Sequence, residues 1–507
     1  MALVGILAVL ILGALISLPV RRIHKQLPWY VGIVAVLTAI IMSFSLGNAS
    51  SGTEKWFARF TSSWIPAIGS NFSLAIDGLS YIMILLTLVM GLVAIGFSER
   101  RENSSSFIFN SLFMLAGVVG IFMATDLFLF FFFWEMMLLP LYFLIISANK
   151  EGSDKAAFKF LIYTQGSGLI MLISLLALYF IHGNQTAIYS FAFEDLLNTQ
   201  MSITTSMLVM SGFLLAFLVK LPVWPLHGWL PSAFKTAPAI AIFSGLLIKT
   251  GAYGIMRFAV PLFPEGSLII SPLMMILGVV TILYASFIAF SQNDIRVISA
   301  YSGISHMGFI LIGIYAFNDL SWQGVGVQMI ASSVGTASLI LLGEIIHRRA
   351  GTYDIAHLGG IWTSNPNIAG IGTFFAMAAL GLPGMANFIA EFLILAGAFQ
   401  ISVLSTVLAS IGIVAAAAYS LRIIQKVFIG EEKICISIID VTLREKAAVA
   451  VMMVLLLWIG FYPSMVTSRL EPFITRTLNF SPPETPGTEQ GNVDEAQVKY
   501  SFQVIKK

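Results

Sequence analysis

Apolar stretches of roughly twenty residues, the length a helix needs to cross a bilayer, recur fourteen times along the chain with short polar segments between them. They cover residues 2–20, 28–47, 75–97, 107–124, 127–147, 159–181, 205–226, 237–262, 268–290, 297–316, 323–346, 367–399, 403–425 and 447–467. The pattern predicts an all-α integral membrane protein of about fourteen transmembrane helices. Two spans carry their own interruption. The seventh holds Pro222, which cannot donate a helix hydrogen bond and disturbs the turn before it. The twelfth is too long for one straight helix and contains Gly381-Leu382-Pro383-Gly384. A break at membrane depth survives only where it lines protein or a wet cavity, so Pro222 and Pro383 both mark sites worth attention. The first span lacks a basic leader and a cleavage site and reads as a retained helix. The tail from Ser481 is polar and Pro/Gly-rich and reads as a flexible or extended arm.

Loop charges set the orientation. With Arg21, Arg22 and Lys25 taken as cytoplasmic, that side also carries Arg100, Arg101, Lys150, Lys155, Lys235, Arg296, Arg348, Arg349, Lys426, Lys433, Arg444 and Lys446. The opposite loops carry only Lys55 and Arg59. An error of one span would mix the two sets, so the asymmetry supports an even count with both termini on the non-cytoplasmic side.

Composition agrees. Of 507 residues, 58% are hydrophobic and 10% charged, with a mean hydropathy of +0.91, whereas soluble domains carry about 25% charged residues. The single cysteine, Cys435, excludes an internal disulfide, a cysteine-held iron–sulfur cluster and a structural zinc of the usual kind. No intact GxGxxG or GxxxxGK[ST] stretch suggests a nucleotide, and no basic run suggests nucleic acid.

Against this background the charges inside spans stand out, because each costs roughly 2.5–3.5 kcal/mol at the bilayer centre on insertion scales. Glu135 follows four phenylalanines and a tryptophan in the fifth span; its bland reading is a structural carboxylate. Lys220 sits beside the break at Pro222, with snorkelling to the interface as its alternative. Lys249 lies mid-span among Gly245, Gly251 and Gly254, too central to snorkel easily. Glu391 follows the break at Pro383 and is either a proton site or a cap on a broken helix. Charging one member of a Glu–Lys pair changes the charge state favoured at the next group, so a Glu–Lys pair with a second lysine is a means of moving a proton. His227 and His306 read equally as relays or as locally satisfied histidines. Asp77 and Asp126 read as helix caps, Arg257 as an ion-pair partner, and Arg444-Glu445 as an interfacial anchor. No residues suggest a bound cofactor or metal.

Five stretches together carry a family resemblance: Phe-Trp-Glu-Met-Met-Leu-Leu-Pro (133–140), Phe-Leu-Val-Lys-Leu-Pro-Val-Trp-Pro-Leu-His-Gly-Trp-Leu-Pro (217–231), Leu-Ile-Lys-Thr-Gly-Ala-Tyr-Gly (247–254), Ser-His-Met-Gly-Phe (305–309) and Gly-Leu-Pro-Gly-Met-Ala-Asn-Phe-Ile-Ala-Glu-Phe (381–392). From about Asp77 to Tyr462 the chain resembles the antiporter-like subunits of respiratory complex I, in particular the family of bacterial subunit M and mitochondrial subunit 4. Glu391 favours that branch over the sister subunit L, which has a lysine there.

The resemblance implies N-terminal helices over 1–106 and two inverted five-helix repeats, 107–262 and 263–430, with spans seven and twelve broken. A last helix and polar tail over 431–507 complete the implied layout. It implies that Glu135 modulates Lys220, that Lys249 is the central relay and that Glu391 is the terminal proton site. FMN, iron–sulfur clusters and quinone would belong to partner subunits. The implied partners are the other membrane-arm subunits, including neighbouring antiporter-like ones, and lipid. The implied location is the bacterial inner membrane. Related readings in the same class are a sodium/proton antiporter or membrane-bound hydrogenase subunit; a non-conducting structural subunit is the reading from another class.

Four positions depart from the family pattern. The usual Asp-Ala-His after Leu-Pro is Ser232-Ala233-Phe234, and two family histidines align with Ser332 and Gly351. Ser332 can pass a proton through water but cannot store charge as histidine does.

Overall fold

The computed structural model describes residues 1–47, 55–98, 104–148, 151–236, 238–431 and 441–479. Arg100, Arg101, Lys150, Lys433, Cys435 and the tail from Ser481 lie outside the described residues.

The chain opens with the apolar pair α1 (Ala2–Ser17) and α2 (Leu27–Gly47). An antiparallel hairpin follows, β1 (Ala58–Ile65) and β2 (Ser70–Ile76), with Ala58 opposite Ile76. Helices α3 (Gly78–Phe97) and α4 (Ser104–Met123) lead to α5 (Leu127–Met136) and α6 (Leu138–Ser147). The fifth predicted span is therefore interrupted at Met137, because Pro140 cannot donate to the carbonyl of Met136. Next come α7 (Ser153–Thr186), the short α8 (Phe193–Leu196), α9 (Ile203–Lys220), the short α10 (Trp229–Phe234), α11 (Pro238–Gly254) and α12 (Val260–Leu262), with one wide π turn, Ile255–Ala259, between the last two. The chain continues with α13 (Pro264–Ser291), α14 (Ile295–Tyr315), α15 (Asp319–Ala350), α16 (Ile361–Ser364), α17 (Pro366–Leu380), α18 (Ala386–Phe399), α19 (Val403–Ile423), α20 (Leu443–Phe461) and α21 (Ser464–Leu478).

Among the described residues, twelve helical segments are long and apolar enough to cross a membrane. The pair α20–α21 passes the same test as one unit bent by 66°, and α17 and α18 are the two shorter apolar halves of the broken twelfth span. Asp77 caps α3 by accepting from the Ser80 amide at 3.0 Å, and Asp126 caps α5 through the Phe128 and Leu129 amides at 3.0 and 2.9 Å. Asp126 also accepts from the Asn71 amide at 2.9 Å, which ties the hairpin to the bundle.

Burial sorts the helices. The most apolar windows of α14, α15 and the segment Ala239–Leu262 are 94% buried, against 33% for α2 and 39% for α7. The segment beginning in α11 and the helices α14 and α15 thus form the bundle's centre, and α1, α2, α7 and α19 present the outer apolar surface that a lipid solvent accepts.

Candidate functional site

The two helix breaks place the first charges. Helix α9 stops at Lys220, and Leu221 leaves helical geometry with φ −82° and ψ 80°. The Trp229 indole of α10 donates to the open Val219 carbonyl at 2.9 Å, so one of the last carbonyls of α9 is satisfied across the break. Gly251 of α11 presses on this point. A Cβ there would lie 2.4 Å from the Phe217 carbonyl and 2.6 Å from the Leu221 amide, so only glycine lets α11 come so close.

Lys220 is 0% exposed. Its Nζ lies 5.4 Å from the Trp134 ring centre and 5.5 Å from that of Phe160, and Glu135 is its acidic electrostatic partner. Snorkelling is excluded by this burial. The ring faces and the negative end of the α9 dipole favour the cation. Glu135 sits on the last turn of α5 and points toward α7, where a Cβ at Gly168 would lie 2.5 Å from its Oε1. Lys220 Nζ, Glu135 Oε1 and Trp134 Nε1 have no hydrogen-bond partner among the described residues.

The other charges are wired together. Lys249, 3% exposed, donates from Nζ to Ser332 Oγ at 2.8 Å and lies 3.7 Å from Met307 Sδ. A cavity of about 10 Å³, room for one water, lies between Lys249, Ser332 and Thr336. Ser332 donates to the Gln328 carbonyl one turn earlier on α15, at 2.5 Å. The Gln328 amide nitrogen lies 3.0 Å from His306 Nδ1, and the same Nδ1 lies 3.0 Å from Glu391 Oε1. One ring nitrogen cannot accept from Gln328 and donate to Glu391 at once, so a change of protonation at His306 must switch its partner. That gives the pair two states, which a proton relay needs.

Glu391 is positioned by the second break. Gly381 ends α17 in the left-handed region, with φ 80°, and the Asn387 side chain of α18 donates back to the Ala378 carbonyl at 2.9 Å. That amide, rather than Glu391, closes the broken helix. His227 stands apart in the segment between α9 and α10, with its ring 5.1 Å from that of Tyr284 and 5.9 Å from that of Tyr301. Among the described residues no group of three or more His, Cys, Asp or Glu is arranged to hold a metal.

This arrangement has known counterparts. The sequence pattern of the NADH:quinone oxidoreductase/Mrp antiporter transmembrane family matches residues 124–416. NADH-quinone oxidoreductase subunit M of Escherichia coli is 41% identical over 474 residues, covering 90% of this chain and 93% of that one. This chain belongs to the antiporter-like subunit family of NADH:quinone oxidoreductases. The family's fold is matched in respiratory complex I from Thermus thermophilus, with a TM-score of 0.84 and 27% identity over 93% of this chain and 99% of that one. It is matched again in an archaeal membrane-bound sulfane sulfur reductase complex, with a TM-score of 0.80 and 25% identity over 95% and 79% of the two chains.

Within this antiporter-like subunit, Ser332 is the hydroxyl that accepts from Lys249. Gly351 is the left-handed C-cap of α15, with φ 72°, and terminates the helix. Ala233 and Phe234 are buried in α10. The sequence reading missed Gln328, although its place one turn before Ser332 puts it on the same helix face. It also missed Gly168 and Asn387. One expectation is corrected: Glu445 is no interfacial anchor but is 1% exposed, paired with Arg349 at 2.8 Å, while Arg444 lies 5.6 Å from the Trp29 ring. Burial comes from a partner nearly a hundred residues earlier, which local sequence does not reveal.

Proposed function

We propose that this multi-pass membrane protein is a membrane-arm subunit of an NADH:quinone oxidoreductase that moves protons along Glu135, Lys220, Lys249, Ser332, Gln328, His306 and Glu391. The observation that carries this reading is the run of contacts across α11, α15, α14 and α18: side chains join Lys249 to Ser332, Gln328 to His306 and His306 to Glu391, while the Ser332 hydroxyl rests on the Gln328 main-chain carbonyl, a step a proton crosses by way of water because the carbonyl has none to hand on. Glu135 governs the charge on Lys220, the Gly251 contact brings Lys249's helix against the break below Lys220, and Glu391 is the last site. Redox chemistry in partner subunits, which hold FMN, iron–sulfur clusters and quinone, drives the transfer. The neighbours are other membrane-arm subunits, among them further antiporter-like ones.

The same reading gives the layout: 1–106 as an N-terminal unit, 107–262 and 263–430 as inverted repeats, and 431–507 as a terminal helix and tail. The basic loops face the cytoplasm across the inner membrane, with the termini opposite. A purely structural role is disfavoured because four spans bury costly polar groups that meet one another.

The test is Lys249→Ala in the assembled complex reconstituted in vesicles, with proton uptake and NADH oxidation measured together. Both are expected to fall while assembly stays intact. Wild-type rates of both would put the structural role first.

A further inference from the structure

Away from the line joining Glu135 to Glu391, a second buried polar network surrounds Arg257. It lies eight residues after Lys249, about 12 Å further along the same run of helix, toward the end of the bundle read above as non-cytoplasmic. Its Nη2 pairs with Asp77 Oδ2 at 2.5 Å and lies 3.4 Å from Ser80 Oγ. Its Nε donates to the Tyr253 hydroxyl at 3.2 Å. The Tyr253 hydroxyl lies 3.0 Å from Ser80 Oγ and 3.1 Å from the Phe122 carbonyl. The guanidinium carbon is 4.5 Å from the Phe473 ring centre of α21 and 5.2 Å from that of Trp56, which precedes the hairpin. Side-chain exposure is 6% for Arg257 and 7% for Asp77.

We propose that Arg257, held by Asp77, is a barrier that closes the non-cytoplasmic end of the bundle beyond Lys249, so that a proton reaching Lys249 leaves sideways through Ser332 toward Glu391. This rests on the reading of Lys249 as a relay. A proton travels only along groups that both accept and release one. The guanidinium has five donors, no acceptor and does not lose its proton. The Tyr253 hydrogen rests on the Phe122 carbonyl, which accepts but has no proton to hand on. Asp77 spends one oxygen on the Ser80 amide and the other on Arg257. The network is therefore a dead end, with the guanidinium at its centre fixed by Asp77 and unable to take up or release a proton. Stability alone does not account for it, since a buried ion pair is often no more stabilising than apolar residues of the same volume.

The test uses the assembled complex in vesicles. Passive decay of an imposed pH gradient is recorded without NADH, and proton uptake per NADH oxidised with it. In Asp77→Asn/Arg257→Gln, decay is expected to quicken several-fold and uptake per NADH to fall while NADH oxidation continues. Adding Lys249→Ala to that variant returns decay to the wild-type rate, because the leak runs through Lys249. Tyr253→Phe, which keeps the ring, stays tight and pumps normally. Wild-type decay in the assembled double variant overturns the barrier. So does loss of pumping in Tyr253→Phe, which would make the network a route, and this second variant decides the matter if the first does not assemble. Normal pumping in Lys249→Ala alone overturns the functional reading instead.

Discussion

At the Glu135–Lys220 end two opposite charges share a pocket of rings with hydrogen-bonding atoms left open, whereas at the Lys249–Glu391 end side chains on four helices meet at hydrogen-bond distance. The difference separates two ways of moving charge. In the first, Lys220 responds to whether Glu135 is charged, through space and in a low dielectric where such coupling is strong. In the second, side-chain donors and acceptors form most of a track, interrupted at the Gln328 main-chain carbonyl. The contrast also bears on Ser332, which accepts from Lys249 while His306 lies one helical turn and one amide away.

The comparison is broken most directly by Glu135→Gln. Lys220 is fully buried and Glu135 half-buried, so removing the carboxylate takes away the charge that offsets the buried ammonium. We expect proton uptake per NADH to collapse and the thermal stability of the assembled complex to fall. Unchanged uptake would show that Lys220 needs no acidic partner, and the through-space half of the comparison would fail. Ser332→Ala probes the other half. A hydrogen bond to a charged group contributes about 1.5–3 kcal/mol, so if that bond also holds Lys249 for transfer, uptake should slow roughly 10- to 100-fold at 1.4 kcal/mol per tenfold, accompanied by a drop in thermal stability because the buried Lys249 Nζ loses its oxygen partner. An uptake rate equal to wild type would mean that the water-sized cavity alone carries the proton. Gly168→Ala has a smaller expected effect. Its Cβ would meet Glu135 Oε1 at 2.5 Å, the far end of a flexible side chain that can shift at little cost in stability. The carboxylate must turn away from its place, so uptake should drop part of the way toward the Glu135→Gln level.

What the sequence disclosed follows the range of the forces involved. Proline and glycine chemistry is local, so the breaks beside Pro222 and Pro383 could be read directly, and the breaks fall at Leu221 and Gly381. The cost of a charge in lipid depends only on depth, so Glu135, Lys220, Lys249 and Glu391 announced themselves. Gln328 did not, because a neutral amide in a span carries a smaller penalty and its value lies in meeting His306 from another helix. The hairpin was hidden because its strands, of eight and seven residues, offer no run long enough to register beside twenty-residue spans. Helix α21 was hidden because its apolar positions Val466, Leu470, Phe473 and Ile474 are spaced along one face rather than continuous. Only the fold reveals that this face covers α3 and α15.

The smallest effect concerns the hairpin side of the molecule and tests whether surface charge contributes to the scaffold at all. Glu194 of α8 receives Lys55 at 3.0 Å and Arg59 at 3.2 Å, which links the segment entering β1 to the loop beyond α7. Partial burial alone would raise this carboxyl, but the bonds from Lys55 and Trp56 and the charge of Arg59 outweigh it and hold it below the ordinary value of 4.5. A carboxyl lowered in the folded state adds stability that is present above 4.5 and lost as pH falls through its folded-state value. Its side chain is 39% exposed, so solvent screening limits the contribution to about 0.2–1 kcal/mol. Glu194→Gln should therefore lower thermal stability slightly at neutral pH, with the difference from wild type shrinking as pH falls below 4.5 and shrinking also in high salt. A deficit that stays constant across pH and salt would assign the loss to packing around Trp56 and leave the ion pairs without a measurable part in holding the hairpin against the bundle.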